Sequence, residues 1–101
     1  MRDKLVSVVI PMYYEEKLAA ECYSRLTAVM EKCGYPYELV FVNDGSRDMT
    51  LPILEELAAK DKRVKVINFS RNFGHQVAVT AGIDKARGTA VVIIDADLQD
   101  P

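Results

Sequence analysis

LVSVVIPMYYEE, residues 5–16, carries the decision about the fold. Its first half, Leu5–Ile10, is a short β-branched run that suits a strand buried on both faces, and Pro11 is expected to stop it. From Glu15 the period of the apolar residues changes. Leu18, Cys22, Leu26, Val29, Met30 and Cys33 recur at three and four residues, marking one stripe of a helix that Gly34 and Pro36 end. A buried strand feeding directly into an amphipathic helix is the opening of a βα unit.

The same alternation continues. Leu39–Val42 reads as a second strand and runs into the turn-forming cluster Asn43, Asp44, Gly45 and Ser46. A helix is expected over Thr50–Lys60, with Thr50 or Asp48 as N-cap and Ile53, Leu54, Leu57 and Ala58 facing inward. Val64–Phe69 alternates at its start, which places it nearer a sheet edge. A third helix over Gly74–Ala86 carries the small residues Ala78, Ala81 and Gly82, which permit close approach to a sheet. Ala90–Ile94 is the most continuously apolar strand, and Asp95 follows at once. The order β-α-β-α-β-α-β with short connections implies a Rossmann-like α/β unit: a parallel sheet with right-handed crossovers. No repeat or linker divides residues 1–101, and a strand order of 3-2-1-4 is expected.

Composition narrows the function. The chain has 101 residues, half of them hydrophobic and 28% charged, so it is a single packed domain at most. A net charge of −2 argues against nucleic-acid binding. No apolar run approaches the roughly 18 residues of a membrane span, and no signal-peptide pattern opens the chain; a cytoplasmic location is expected. Cys22 and Cys33 fall on one helix about 16 Å apart, too far for a disulfide, and are expected to be reduced and part-buried. There is no GxGxxG after the first strand, no P-loop and no nucleophile elbow.

In parallel α/β sheets ligands bind beyond the carboxyl ends of the strands. Three strands end there in polar segments: Pro11–Glu16, Asn43–Ser46 and Asp95–Asp100. Asp95, Asp97 and Gln99 offer oxygen ligands only, suited to Mg²⁺ or Mn²⁺, or else they are turn formers after a buried strand. Asp44 either accepts from a ribose hydroxyl or base N–H, or closes an Asx turn. Pro11 and Tyr13 can wall a base and Glu15 accept from its sugar; alternatively Glu15 and Glu16 favour a helix N-terminus. Arg71 reads as a phosphate contact or a solvated charge. His75, the sole histidine, reads as a surface or packing residue, with catalysis the less favoured role.

VSVVIPMYYEE, ELVFVNDGSRDMT, FSRNFGHQVAVTAGIDKARG and VVIIDADLQDP together resemble the family 2 glycosyltransferases of GT-A fold, in particular the polyprenyl-phosphate branch. The resemblance implies that Pro11, Tyr13, Glu15, Asp44, Arg71, Asp95 and Ala96 bind a UDP- or GDP-sugar. It implies that Asp95, Asp97 and Gln99 hold Mg²⁺ or Mn²⁺, and that the sugar passes with inversion to a polyprenyl phosphate or other glycan acceptor, in cell-envelope biosynthesis. Residues 1–101 are then the N-terminal, nucleotide-sugar-binding part of a catalytic domain truncated after its DxD motif, with the base beyond residue 101. The full-length form would sit at the cytoplasmic face of a membrane, and the fragment would self-associate through its open last strand. One position departs from the pattern: the family commonly has Asn where Tyr14 stands, which bears on the geometry of the first loop. A haloacid-dehalogenase-like phosphotransferase wants a Thr or Val where Gln99 stands, on an early strand. A receiver-like domain lacks its placed Asp and Lys; a non-catalytic nucleotide- or metal-binding module stays open.

Overall fold

The computed structural model describes residues 4–95. They form β1 (Val6–Met12), α1 (Glu16–Cys33), β2 (Tyr37–Asn43), α2 (Thr50–Lys60), β3 (Val64–Asn68), α3 (His75–Lys85) and β4 (Ala90–Ile93). All neighbouring strands are parallel, in the order β3-β2-β1-β4. The expected architecture, strand order and edge position of the third strand are all present.

The sheet is buried on both faces because successive side chains alternate. Val8, Ile10 and Met12 of β1 join Leu39 and Phe41 of β2 in the core that receives Ala19, Cys22, Leu26 and Met30 of α1 and Leu54 of α2. Val9, Val40 and Val42 point the other way, onto Ala78 of α3. There the helix sits close: a Cβ on Gly82 would fall 2.3 Å from Val9 Cγ1, so no side chain fits at that position. The fully buried Cys22 thiol is pushed up to about 11 by burial and stays protonated.

Two expectations are corrected. β1 does not stop at Pro11; it runs to Met12, with Pro11 opposite Val42. Parity explains why. Val9 O accepts from Ile94 N on the β4 side, whereas Met12 O accepts from Asp44 N on the β2 side. The N–H that Pro11 lacks would therefore point toward β4, which has already ended at Ile93, and no ladder bond is lost. Second, the apolar stripe of α1 is wider than its buried face: Val29 is 56% exposed, at the border of the sector held by the four buried residues. Cys33, in the last turn, is also exposed rather than part-buried. β4 lies where the expected order 3-2-1-4 puts it. It forms an edge, and Val91, Val92 and Ile93 are 41–45% exposed.

A polar clamp fixes where β4 begins. Glu38 and Ser7, both buried within strands, are joined by a 2.6 Å bond from Ser7 Oγ to Glu38 Oε2. Arg87 N donates to the same carboxylate oxygen at 2.7 Å, and Gly88 N donates to Ser7 Oγ at 2.8 Å. The turn between α3 and β4 is thereby pinned to β1 and β2, which sets the register that delivers Asp95 to the far edge.

A second cluster ties α1 to the turn between α2 and β3. Tyr23 Oη donates to Asp61 Oδ2 at 2.7 Å, Arg63 bonds Asp61 and Glu31, and its guanidinium lies 4.6 Å from the Tyr37 ring centre. The Arg63 hydrogen bond is the main cause that holds the Asp61 carboxyl down at about 2, against an ordinary 3.8. A carboxyl depressed on folding stabilises the fold above its unfolded pKa, and that contribution fades as pH falls toward the folded value. Urea unfolding of the wild type is expected to lose stability between about pH 4 and pH 2. Asp61→Asn should be less stable at pH 7 and show a flatter pH dependence over that window; an identical profile in both would show that Asp61 does not carry it.

Candidate functional site

Because every strand is parallel, the ends of β1, β2 and β4 emerge at one edge, and the connections there are tied to one another rather than splayed. Tyr14 N donates to Ser46 Oγ at 2.7 Å, and Glu15 N donates to Thr50 Oγ1 at 3.0 Å. Met49 N in turn donates to Glu16 Oε1 at 2.8 Å. The loop after β1 and the loop after β2 thus hold each other. Thr50 was expected as an N-cap of α2; it opens that helix instead, and its hydroxyl is spent on Glu15. Asp48 accepts from Thr50 N at 2.9 Å.

Asp44 is the centre of this edge. It is 4% exposed, and its carboxylate takes three donors from the loop between β3 and α3: Phe73 N at 2.8 Å, Gly74 N at 3.0 Å and Asn72 Nδ2 at 3.0 Å. Burying a carboxylate is costly unless it is paired or hydrogen-bonded, and two successive backbone N–H groups make a concavity for an anion. Asn43 braces the same turn, donating to Asn68 Oδ1 at 2.9 Å and accepting from Ser46 N. Gly45 is required between them. Its φ of 82° is left-handed, and a Cβ would lie 2.3 Å from the backbone of Arg71 and Asn72.

The remaining expected residues spread along this edge. Pro11 is buried in the β1 ladder, so of the pair proposed as a wall for a base, Tyr13 is the exposed member, with its ring edge-to-face on Tyr14 at 4.7 Å. Beside them an open cavity of about 490 Å³ is lined by Tyr14, Glu15, Glu16, Lys17, Leu18 and Asp48. Arg71 is exposed, its guanidinium 4.8 Å from the Phe73 ring centre. Asp95 follows β4, three-quarters exposed, with His75 Nε2 3.6 Å from its Oδ1. Ala96, Asp97 and Gln99 lie outside the described residues. Among the described residues no three His, Cys, Asp or Glu side chains gather as a metal cluster. The donor set with Asp95 at its head is nevertheless all oxygen, and an exposed carboxylate at a strand end fits a hard divalent cation.

Sequence reasoning did not single out Asn72, Ser46 or Thr50 for the site. The signal available was their type: short polar side chains inside loops, where hydrogen bonds to backbone are their usual work.

A four-stranded parallel sheet with its polar loops gathered at the carboxyl edge is the arrangement in which α/β folds bind ligands. The chain belongs to glycosyl transferase family 2, whose model matches residues 7–101. It is 58% identical over 95 residues to an uncharacterized glycosyltransferase, YkcC, of Bacillus subtilis (strain 168), covering 94% of this chain and 29% of that protein. It is 44% identical over 96 residues to the bactoprenol glucosyl transferase of Shigella phage SfV, covering 95% of this chain and 31% of the relative. Among solved structures it is similar to the mannosyltransferase PcManGT of Pyrobaculum calidifontis in complex with GDP-Man and Mn²⁺. The TM-score is 0.76 at 29% identity, over 91% of this chain and 27% of that one. The chain spans about three-tenths of the length of the curated relatives it matches.

The backbone at Tyr14 makes its departure from the pattern costly. It has φ 55°, the left-handed region that Asn tolerates and a bulky side chain does not. Tyr14→Asn is expected to raise stability by up to about 1 kcal/mol, relieving that strain; urea unfolding measures it, and a destabilised variant would show that the ring's contact with Tyr13 outweighs the backbone.

Proposed function

We propose that this chain forms the donor-binding part of an enzyme that transfers a sugar from a UDP- or GDP-sugar to a polyprenyl phosphate. The observation that carries this reading is the convergence, at one edge of the sheet, of Glu15, Asp44 and Asp95 from the ends of three parallel strands, in a chain of this family. Tyr13, exposed just beyond the buried Pro11 at the end of β1, flanks the base, and Glu15 faces its ribose. Asp44 accepts from the base: an ionised carboxylate offers about four acceptor sites, and the loop takes three of them. Arg71, on the loop beyond Asp44, meets the diphosphate. Asp95 closes the donor site beyond β4, and Ala96, outside the described residues, would join it there.

Asp95, Asp97 and Gln99 would hold Mg²⁺ or Mn²⁺, which when bound neutralises the charge that develops on the departing nucleoside diphosphate. The solved mannosyltransferase with Mn²⁺ supports a divalent cation in this fold. Transfer is a single displacement with inversion. A lipid phosphate is already nucleophilic at neutral pH and needs little help from a base. The acceptor site and any base belong to the part of such an enzyme that lies beyond these residues; relatives of about three times this length support that division. A polyprenyl acceptor, the name of the Shigella phage relative supports, would bring the enzyme to the cytoplasmic face of a membrane. No helix among the described residues is long and apolar enough to cross one. Where nothing covers β4, its exposed Val91, Val92 and Ile93 favour self-association.

Calorimetric titration with UDP and GDP, with and without Mn²⁺, tests the reading once circular dichroism has shown the protein folded. Binding of one of them, strengthened by Mn²⁺ and weakened tenfold or more by Asp97→Ala, is expected. A folded protein that binds neither would overturn it.

A further inference from the structure

The loop between β3 and α3 does more than connect them. It leaves β3 at the edge of the sheet, passes over the end of β2 at Asp44, and delivers His75, the first residue of α3, to within 3.6 Å of Asp95 beyond β4. It therefore spans the distance between the base side of the donor site and its diphosphate side. At its start Phe69 N donates to Asn43 O at 3.0 Å, and from Asn72 onward Asp44 holds it. The two backbone bonds, from Phe73 N and Gly74 N, fix the exit of the loop into α3. The one side chain that reaches back is Asn72, whose Nδ2 bridges Asp44 Oδ2 at 3.0 Å and the Asp44 carbonyl oxygen at 3.2 Å.

That bridge has a geometric consequence. By bonding both the carboxylate and the main chain of one residue, a single amide fixes the side-chain torsion of Asp44 relative to its own backbone. It also fixes Asn72 relative to β2. Arg71 precedes it and is braced on the Phe73 ring, which itself packs edge-to-face on Phe69 at 5.4 Å. Gly45, with no room for a Cβ, lets the two backbones touch behind the bridge.

We propose that Asn72 is a positioning residue that locks the loop carrying Arg71 and His75 across the sheet edge, and so makes the diphosphate subsite depend on the carboxylate that reads the base. The proposal rests on the donor-site reading above. Asn72 itself touches no part of the donor. Without its bridge Asp44 keeps its acceptor site for the base, while the segment that meets the phosphates is released.

The experiment combines two readouts on the protein and its Asn72→Ala and Asn72→Asp variants. Asn72→Asp keeps the shape but opposes a second carboxylate to Asp44. Amide hydrogen exchange followed by NMR reports the clamp without any ligand: Phe73 and Gly74 are protected in the wild type and exchange at least tenfold faster in Asn72→Ala, faster still in Asn72→Asp. Affinities for UDP and GDP against uridine and guanosine, measured by chemical shift, report the coupling. The preference for diphosphate over nucleoside falls about tenfold in Asn72→Ala, while nucleoside binding holds. Equal weakening of both ligands, or unchanged exchange in both variants, would overturn the proposal. A wild type that binds no nucleotide yet protects these amides would refute the donor-site reading and leave the clamp standing.

Discussion

A buried carboxylate organises the working edge of this fold. Asp44 is almost inaccessible, and an ionised group in that position persists only if its oxygens are satisfied from within. The donors come from a loop that follows a different strand, so the requirement of one side chain becomes a constraint on tertiary structure. The loop after β3 must return over β2, Gly45 must lack a side chain to let it pass, and α3 must begin where Gly74 leaves it. Ser46 and Thr50 then draw the loop after β1 into the same assembly through Tyr14 and Glu15. The edge is held largely by hydrogen bonds to backbone groups.

The two edges of the sheet divide the labour. At the amino ends of the strands, Glu38, Ser7 and the turn at Arg87 and Gly88 set the register of β4. Nearby, Asp61, Arg63, Glu31 and Tyr23 join α1 to the turn between α2 and β3. Those contacts serve the fold. Their effect is felt at the opposite edge, because a strand of four residues started one position late would carry Asp95 to the other face of the sheet. The placement of Asp95 at the carboxyl edge thus depends on polar groups buried at the far end.

Much of this architecture was legible in the sequence because apolar period is a strong signal. Val8 to Ile10, Leu39 to Val42 and the 18, 22, 26, 30 spacing on α1 state the alternation of buried strand and helix directly. The polar segments at three strand ends follow from parallel connectivity alone. What the sequence hid is pairwise. Pro11 reads as a stop until the side of its missing N–H is known, and Val29 and Cys33 read as core until the width of the helix contact is known. Ser7 looks like an interruption in an apolar strand, and Glu38 falls before the second strand as read from Leu39, until the bond between them is seen. Asn72 and Asp44, 28 positions apart, carry no local sign of their partnership. Asp97 and Gln99, two of the three residues proposed to hold a metal, lie outside the described residues.

The most direct test of the whole account is a crystal structure of the protein with its nucleoside diphosphate and Mn²⁺, phased to locate the ion by its anomalous scattering. The account predicts one Mn²⁺ peak at the end of β4 within coordination distance of the Asp95–Gln99 segment, the base against Asp44, and Asp44 still bonded to Phe73 and Gly74. An ion or nucleotide seated on any other face of the sheet, or an Asp44 that releases the loop to bind the base, would contradict it.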